Sequence, residues 1–140
     1  MAKIHTYLNF EGNTEEAFNF YKSVFGGEFS HLQRVRDTPE ADKVSEAEQD
    51  KIMHIALPIE SNLLMATDIL ESYGMKIKQG NNMYVSIEAE SEEEARRIFS
   101  ELSQGGNIEM ELKEMFWGDL FASFTDRYGI NWMLNYELKK

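Results

Sequence analysis

From Lys3 to Phe10 the chain alternates. Ile4, Thr6, Leu8 and Phe10 fall on one side, and His5, Tyr7 and Asn9 on the other. A period of two predicts a strand with an apolar face on a core and a polar-aromatic face turned to something wet or concave. The period then changes. Ala17, Phe20, Tyr21 and Val24 recur at helical spacing, Asn13 stands at the capping position with Glu16 three residues on, and Gly26-Gly27 marks the stop. Alternation resumes over 28–36 around Phe29, Leu32 and Val35. The polar, acidic stretch 38–51 contains Pro39 and reads as a mobile loop with room for one helical turn. Ile52 to Ile59 is a strand whose end or edge is marked by Pro58. Ser61-Asn62 turns the chain into Leu63 to Thr67, which completes a hairpin.

The same order then returns. Asn82, Tyr84 and Ser86 fall opposite His5, Tyr7 and Asn9. After one extra residue, Ser91 meets Asn13, Ala95 meets Ala17, Ile98 meets Phe20 and Phe99 meets Tyr21. Ser91 with Glu94 repeats the cap, and Gly105-Gly106 closes the second helix. Ile108, Met110 and Leu112 alternate, Met115 to Gly118 forms an aromatic corner, and 120–125 pairs with 131–138 across the turn Asp126-Arg127-Tyr128-Gly129. Self-similarity of this length predicts two copies of one supersecondary unit. The fold expected is α+β: two tandem βαβββ modules, about 1–70 and about 80–140, in one domain over 1–140, whose curved sheets form a cleft.

Bulk numbers narrow the partners. With a net charge of −11 the chain is a poor match for nucleic acid or an anionic membrane surface, both of which select Lys and Arg. It has no cysteine, which excludes disulfides, thiolate nucleophiles and Cys-type zinc sites. The opening MAKIHTYLNF runs straight into a strand pattern and no apolar run has bilayer length, so a cytoplasmic location is expected. A curved sheet of this size leaves edges that need cover, which points to a homodimer.

The segments YLNFEGNTEEAFNFYKSVFGGEF, MHIALPI and FWGDLFASFTDRYGINWMLNYE resemble the PhnB-like branch of the vicinal-oxygen-chelate superfamily, which holds glyoxalases, bleomycin-resistance proteins and dihydroxybiphenyl-type dioxygenases. The resemblance runs over nearly the full length. It implies small, usually homodimeric proteins, some under a methyltransferase-like family label. No glycine-rich loop follows a strand inside a βαβ unit here, so nothing in the sequence points to a methyl-donor site. In the metal-dependent members each module supplies two ligands from its first and last strands. His5 is the only residue here that matches such a position. The others are occupied by Met65 or Ala66, Asn82 and Met133, a poor set for a divalent ion.

The expected function is therefore a small-molecule-binding protein of this type, without the usual metal site and without a cofactor. Two alternatives stand beside it: a metal-dependent lyase, isomerase or dioxygenase of the same superfamily, and a dimeric scaffold with a self-filled cleft. The candidate ligand-binding residues are His5, Tyr7, Asn9, His54, Tyr84, Ser86 and Trp132. Tyr7 and Tyr84 occupy equivalent places in the two copies, where phenols either grip a planar polar ligand or fill the space themselves. His54 on its half-buried strand reads first as a structural histidine bonded to a carbonyl or carboxylate, and second as a ligand-binding one. His31 reads as a surface residue. Asp126 reads as a turn former rather than an acid catalyst.

Overall fold

The computed structural model describes residues 1–138. Its internal contacts divide the chain into two compact units, Met1–Lys78 and Gln79–Lys140. The last two positions of the expected second module, 139 and 140, lie outside the described residues.

The first unit contains β1 (Thr6–Phe10), α1 (Thr14–Phe25), β2 (His31–Arg34), β3 (Ile52–Ile59) and β4 (Asn62–Asp68). Its sheet has the order β1-β4-β3-β2, with β1 parallel to β4 and the other pairs antiparallel. The second unit repeats this with β5 (Val85–Glu88), α2 (Glu92–Leu102), β6 (Asn107–Glu114), β7 (Asp119–Thr125) and β8 (Asn131–Glu137), in the order β5-β8-β7-β6. Here β5 is parallel to β8. Both units are βαβββ, as the repeated pattern predicts.

Each sheet buries one face under its own helix. In the first unit that face carries Phe10, Leu57, Leu64, Ala66 and Ile55, all nearly inaccessible, and Phe10 meets Phe18 of α1 edge to face at 6.4 Å. The buried stripe of α1 is Thr14, Ala17, Phe18, Tyr21 and Val24. Phe18 thus takes the inward place that the pattern assigned to Phe20, which is half-buried. Phe18 and Phe20 stand two positions apart, about 200° around the helix, and the buried stripe includes Phe18 and not Phe20. In the second unit Phe99 of α2 meets Phe124 of β7 at 5.7 Å, over Leu134, Ala122 and Trp132.

The two helices are capped by different devices. Ser91 Oγ accepts the Glu94 amide at 3.0 Å, and the Glu94 carboxylate reaches back to the Glu90 amide at 2.8 Å. This is the expected local cap, with its return bond made one residue earlier than in the standard box. Asn13 makes no side-chain cap bond, contrary to expectation. Instead Asp68, at the end of β4, takes that task. Its Oδ1 accepts from the amides of Gly12 (3.0 Å) and Thr14 (3.1 Å) and from the Thr14 hydroxyl (2.6 Å), while Oδ2 accepts the Ile52 amide at 2.8 Å. A buried carboxylate satisfied by four donors ties the helix N-terminus to the start of β3 and the end of β4.

Two further expectations are corrected. The strand over 28–36 is only His31–Arg34, because the register shifts at Gln33/Arg34 and the chain coils into a short 3-10 turn at 35–37. The stretch 38–51 is not a free loop. It holds 3-10 turns at Pro39–Lys43 and Glu46–Glu48, and Glu48 is buried with its carboxylate accepting from the hydroxyls of Ser72 and Ser45. The Tyr73 hydroxyl also donates to Glu40 at 2.5 Å.

Candidate functional site

The face of the first sheet turned away from α1 is where the chemistry gathers. Register sets its membership, since paired residues share a face. Tyr7 pairs with Met65, Asn9 with Thr67 and Met65 with Ala56, while Gln33 pairs with His54 and His31 with Ala56. One pleat surface therefore carries Tyr7, Asn9, Met65, Thr67, His54 and His31.

At its centre the Tyr7 hydroxyl and His54 Nδ1 lie 3.1 Å apart, with the rings stacked at 5.6 Å between centroids. His31 lies on the other side of His54, 5.0 Å away centroid to centroid and tilted by 57°. Tyr7 is 46% exposed although its ring packs on an imidazole, so its edge remains available to a ligand. Burial holds the Tyr7 phenol above its ordinary value, and a hydrogen bond with Thr67 opposes this. Burial first, and then the neighbouring His31, hold the His54 imidazolium below its ordinary 6.5.

That direction sets a pH dependence. His54 of the unfolded chain takes its proton near 6.5, before the folded protein does. The stability it contributes is complete above about 6.5 and is lost as pH falls through the lower folded value. In metal-stripped protein the His54 ring proton should titrate below that of an exposed histidine by NMR. Between pH 7.5 and 5.5 the urea midpoint should fall less in His54→Gln than in the parent. Equal slopes would contradict the assignment.

His5 lies just before β1, half-buried, and its Nδ1 accepts the Leu63 amide at 3.3 Å. An Nδ1 that accepts places the neutral ring's proton on Nε2, and no lone pair is left for a metal. Met65 offers a thioether on the open face, while Ala66 is fully buried on the other face. With Asn82 and Met133 at the remaining two positions, this donor set does not fit a divalent ion. Among the described residues no group of three or more His, Asp or Glu side chains converges.

The second unit carries the counterparts of the open-face residues. Ser86 is exposed and pairs with Met133. Tyr84 is half-buried, and its hydroxyl donates to Glu109 of β6 at 2.8 Å, which pushes the phenol upward. Trp132 stands apart from this set. It pairs with Val85 and Phe124 on the helix-facing side, is 1% exposed, and donates its indole N–H to Asp126 at 2.8 Å. Strand parity alone excludes it from the open face. Asp126 also accepts the amides of Tyr128 and Ile130, the turn-forming role read from TDRYG. His31 is exposed, as the sequence suggests, yet it lies beside His54 on the open face. The usable signal is a histidine on each of two strands, which the regular β2–β3 register before the bulge sets diagonally opposite.

Two units of this topology, each a four-stranded mixed sheet with one helix against it, define the glyoxalase/bleomycin resistance/dioxygenase class of fold. More narrowly, the chain belongs to the PhnB-like family described as 3-demethylubiquinone-9 3-methyltransferase, whose sequence model matches residues 2–135. It is similar to the crystal structure of protein PA1353 from Pseudomonas aeruginosa: 35% identical, TM-score 0.89, covering 99% of this chain and 100% of that one. A putative 3-demethylubiquinone-9 3-methyltransferase, PhnB protein, from Bacillus cereus is 29% identical with a TM-score of 0.78, over 96% and 99% of the two chains. A glyoxalase/bleomycin resistance protein/dioxygenase family enzyme from Burkholderia phytofirmans shares the fold, at 14% identity and a TM-score of 0.62 over 95% and 98%.

Proposed function

We propose that the chain is a small-molecule-binding protein of the PhnB-like type, with the open face of the first sheet as its ligand wall and no metal at the superfamily's usual positions. The observation that carries this reading is the Tyr7–His54 pair: a partly exposed phenol in contact with an imidazole, on a sheet whose opposite face is closed by its helix. Phenol, imidazole, amide and hydroxyl groups on one pleat suit a planar ligand with polar edges. The carboxamide of Asn9 and the second imidazole, His31, border the pair. The enzymatic alternative draws less support, because the one matching ligand position, His5, spends Nδ1 on a backbone amide.

A thermal-shift screen of phenols, vicinal diols and small carboxylic acids should yield stabilising compounds. A ligand at one hundred times its Kd adds about 2.7 kcal/mol. Tyr7→Phe keeps the ring and removes the hydroxyl, and should weaken the best compound about tenfold, a 1.4 kcal/mol loss. A screen without hits, or hits that bind Tyr7→Phe and His54→Gln as they bind the parent, would overturn the reading.

A further inference from the structure

We propose that His31 and His54 form a two-imidazole chelate for a divalent transition-metal ion, at a place distinct from the ligand positions implied by the superfamily resemblance. Two imidazoles that share one ion at about 2.0–2.1 Å per nitrogen, at a tetrahedral angle, hold their ring centroids about 5 Å apart. His31 and His54 stand at 5.0 Å with planes tilted by 57°, so neither ring stacks flat on the other. They reach each other diagonally from β2 and β3, because His31 is opposite Ala56 and His54 opposite Gln33. His31 is exposed and His54 half-buried, which leaves an ion a path from solvent.

The surroundings of His54 complete the case. Its Nδ1 faces the Tyr7 hydroxyl oxygen at 3.1 Å. In the tautomer with the proton on Nδ1, donated to that oxygen, Nε2 carries the free lone pair. This is the usual arrangement of a ligating histidine, whose second nitrogen is held by an oxygen acceptor. His5 shows the opposite arrangement, with Nδ1 facing an amide donor. The same two environments thus disqualify His5 and qualify His54. Two imidazoles favour Zn²⁺, Ni²⁺ or Cu²⁺ over the oxygen-seeking Mg²⁺ and Ca²⁺. Two protein ligands leave coordination positions for water or for an oxygen donor from outside.

The test uses untagged, chelator-treated full-length protein and the metal alone, so it stands or falls independently of the small-molecule reading. Zn²⁺ titrated by calorimetry should bind one ion per chain at micromolar concentration, with the His31 and His54 ring protons the first to shift by NMR. Mg²⁺ should produce no shift. His31→Ala, at an exposed position, should keep the fold by circular dichroism and weaken Zn²⁺ at least about tenfold, as should His54→Gln. His5→Ala should bind like the parent. Absence of Zn²⁺ binding below about 0.1 mM, far weaker than the micromolar binding expected, would overturn the proposal. So would binding that survives His31→Ala and His54→Gln, or binding that is lost in His5→Ala.

Discussion

Asp68→Ala should be the most damaging single substitution in the first unit, with a loss of about 4 kcal/mol from the unsatisfied donors it leaves. Its carboxylate receives four hydrogen bonds from two segments far apart in sequence, and the residue is 3% exposed. Removing it leaves the Ile52 and Thr14 amides buried without their partner, and α1 loses the negative group at its N-terminus. Native domains hold only about 5–15 kcal/mol in total, so the melting temperature should drop by about 10 °C. Asp68→Asn is the informative companion. Its amide oxygen can still accept from Gly12 and Thr14, but its NH₂ then opposes the Ile52 N–H, so an intermediate loss is expected. Urea unfolding of the three proteins checks the order. A loss below about 1 kcal/mol for Asp68→Ala, the worth of a single ordinary hydrogen bond, would show that the four bonds are not acting as a buried hub.

Gly106→Ala should cost about 3 kcal/mol, at the upper end of overpacking, and more than Gly105→Ala. Dihedral angles alone give the reverse order, since Gly105 sits at φ +79 and Gly106 outside the left-handed region. A Cβ on Gly106 would lie 2.0 Å from the Thr125 carbonyl oxygen and 2.9 Å from the backbone of Asp126. Those atoms are main chain, held by the β6–β7 ladder and by the Asp126 amide bond to Ile130, so they cannot rotate away. At Gly105 the added methyl meets the Arg127 side chain at 3.2 Å, which can move, and only the left-handed strain of about 1–2 kcal/mol remains. Denaturant midpoints of the two variants decide the matter. If Gly105→Ala proves the worse, the close backbone approach is not limiting.

Much of the architecture was legible because each module states its period twice. The change from alternation to helical spacing and back places both helices, and the paired Tyr7/Tyr84 and Asn9/Ser86 positions follow from one alignment. What stayed hidden depends on long-range partners. The Asn13 signal was a sound local expectation, but a carboxylate from β4 reached the same amides. The acidic stretch 38–51 looked solvated because composition shows no sign that Glu48 is buried against Ser72. Trp132 was assigned by residue type, whereas parity places it beside Phe124 under α2. The His31–His54 contact needed the β2–β3 register that sets His31 opposite Ala56 and Gln33 opposite His54, a long-range pairing that no periodicity announces.

The two caps also differ in when they become available. Synthesis runs from the N-terminus. The residues of α2 emerge together with Ser91 and Glu94, so that helix carries its own closure. Thr14 must wait for Asp68, 54 residues downstream. The cap of the earlier-made helix is therefore the one that must wait for β4 to be made, while the later-made helix carries its own cap within the same stretch of chain.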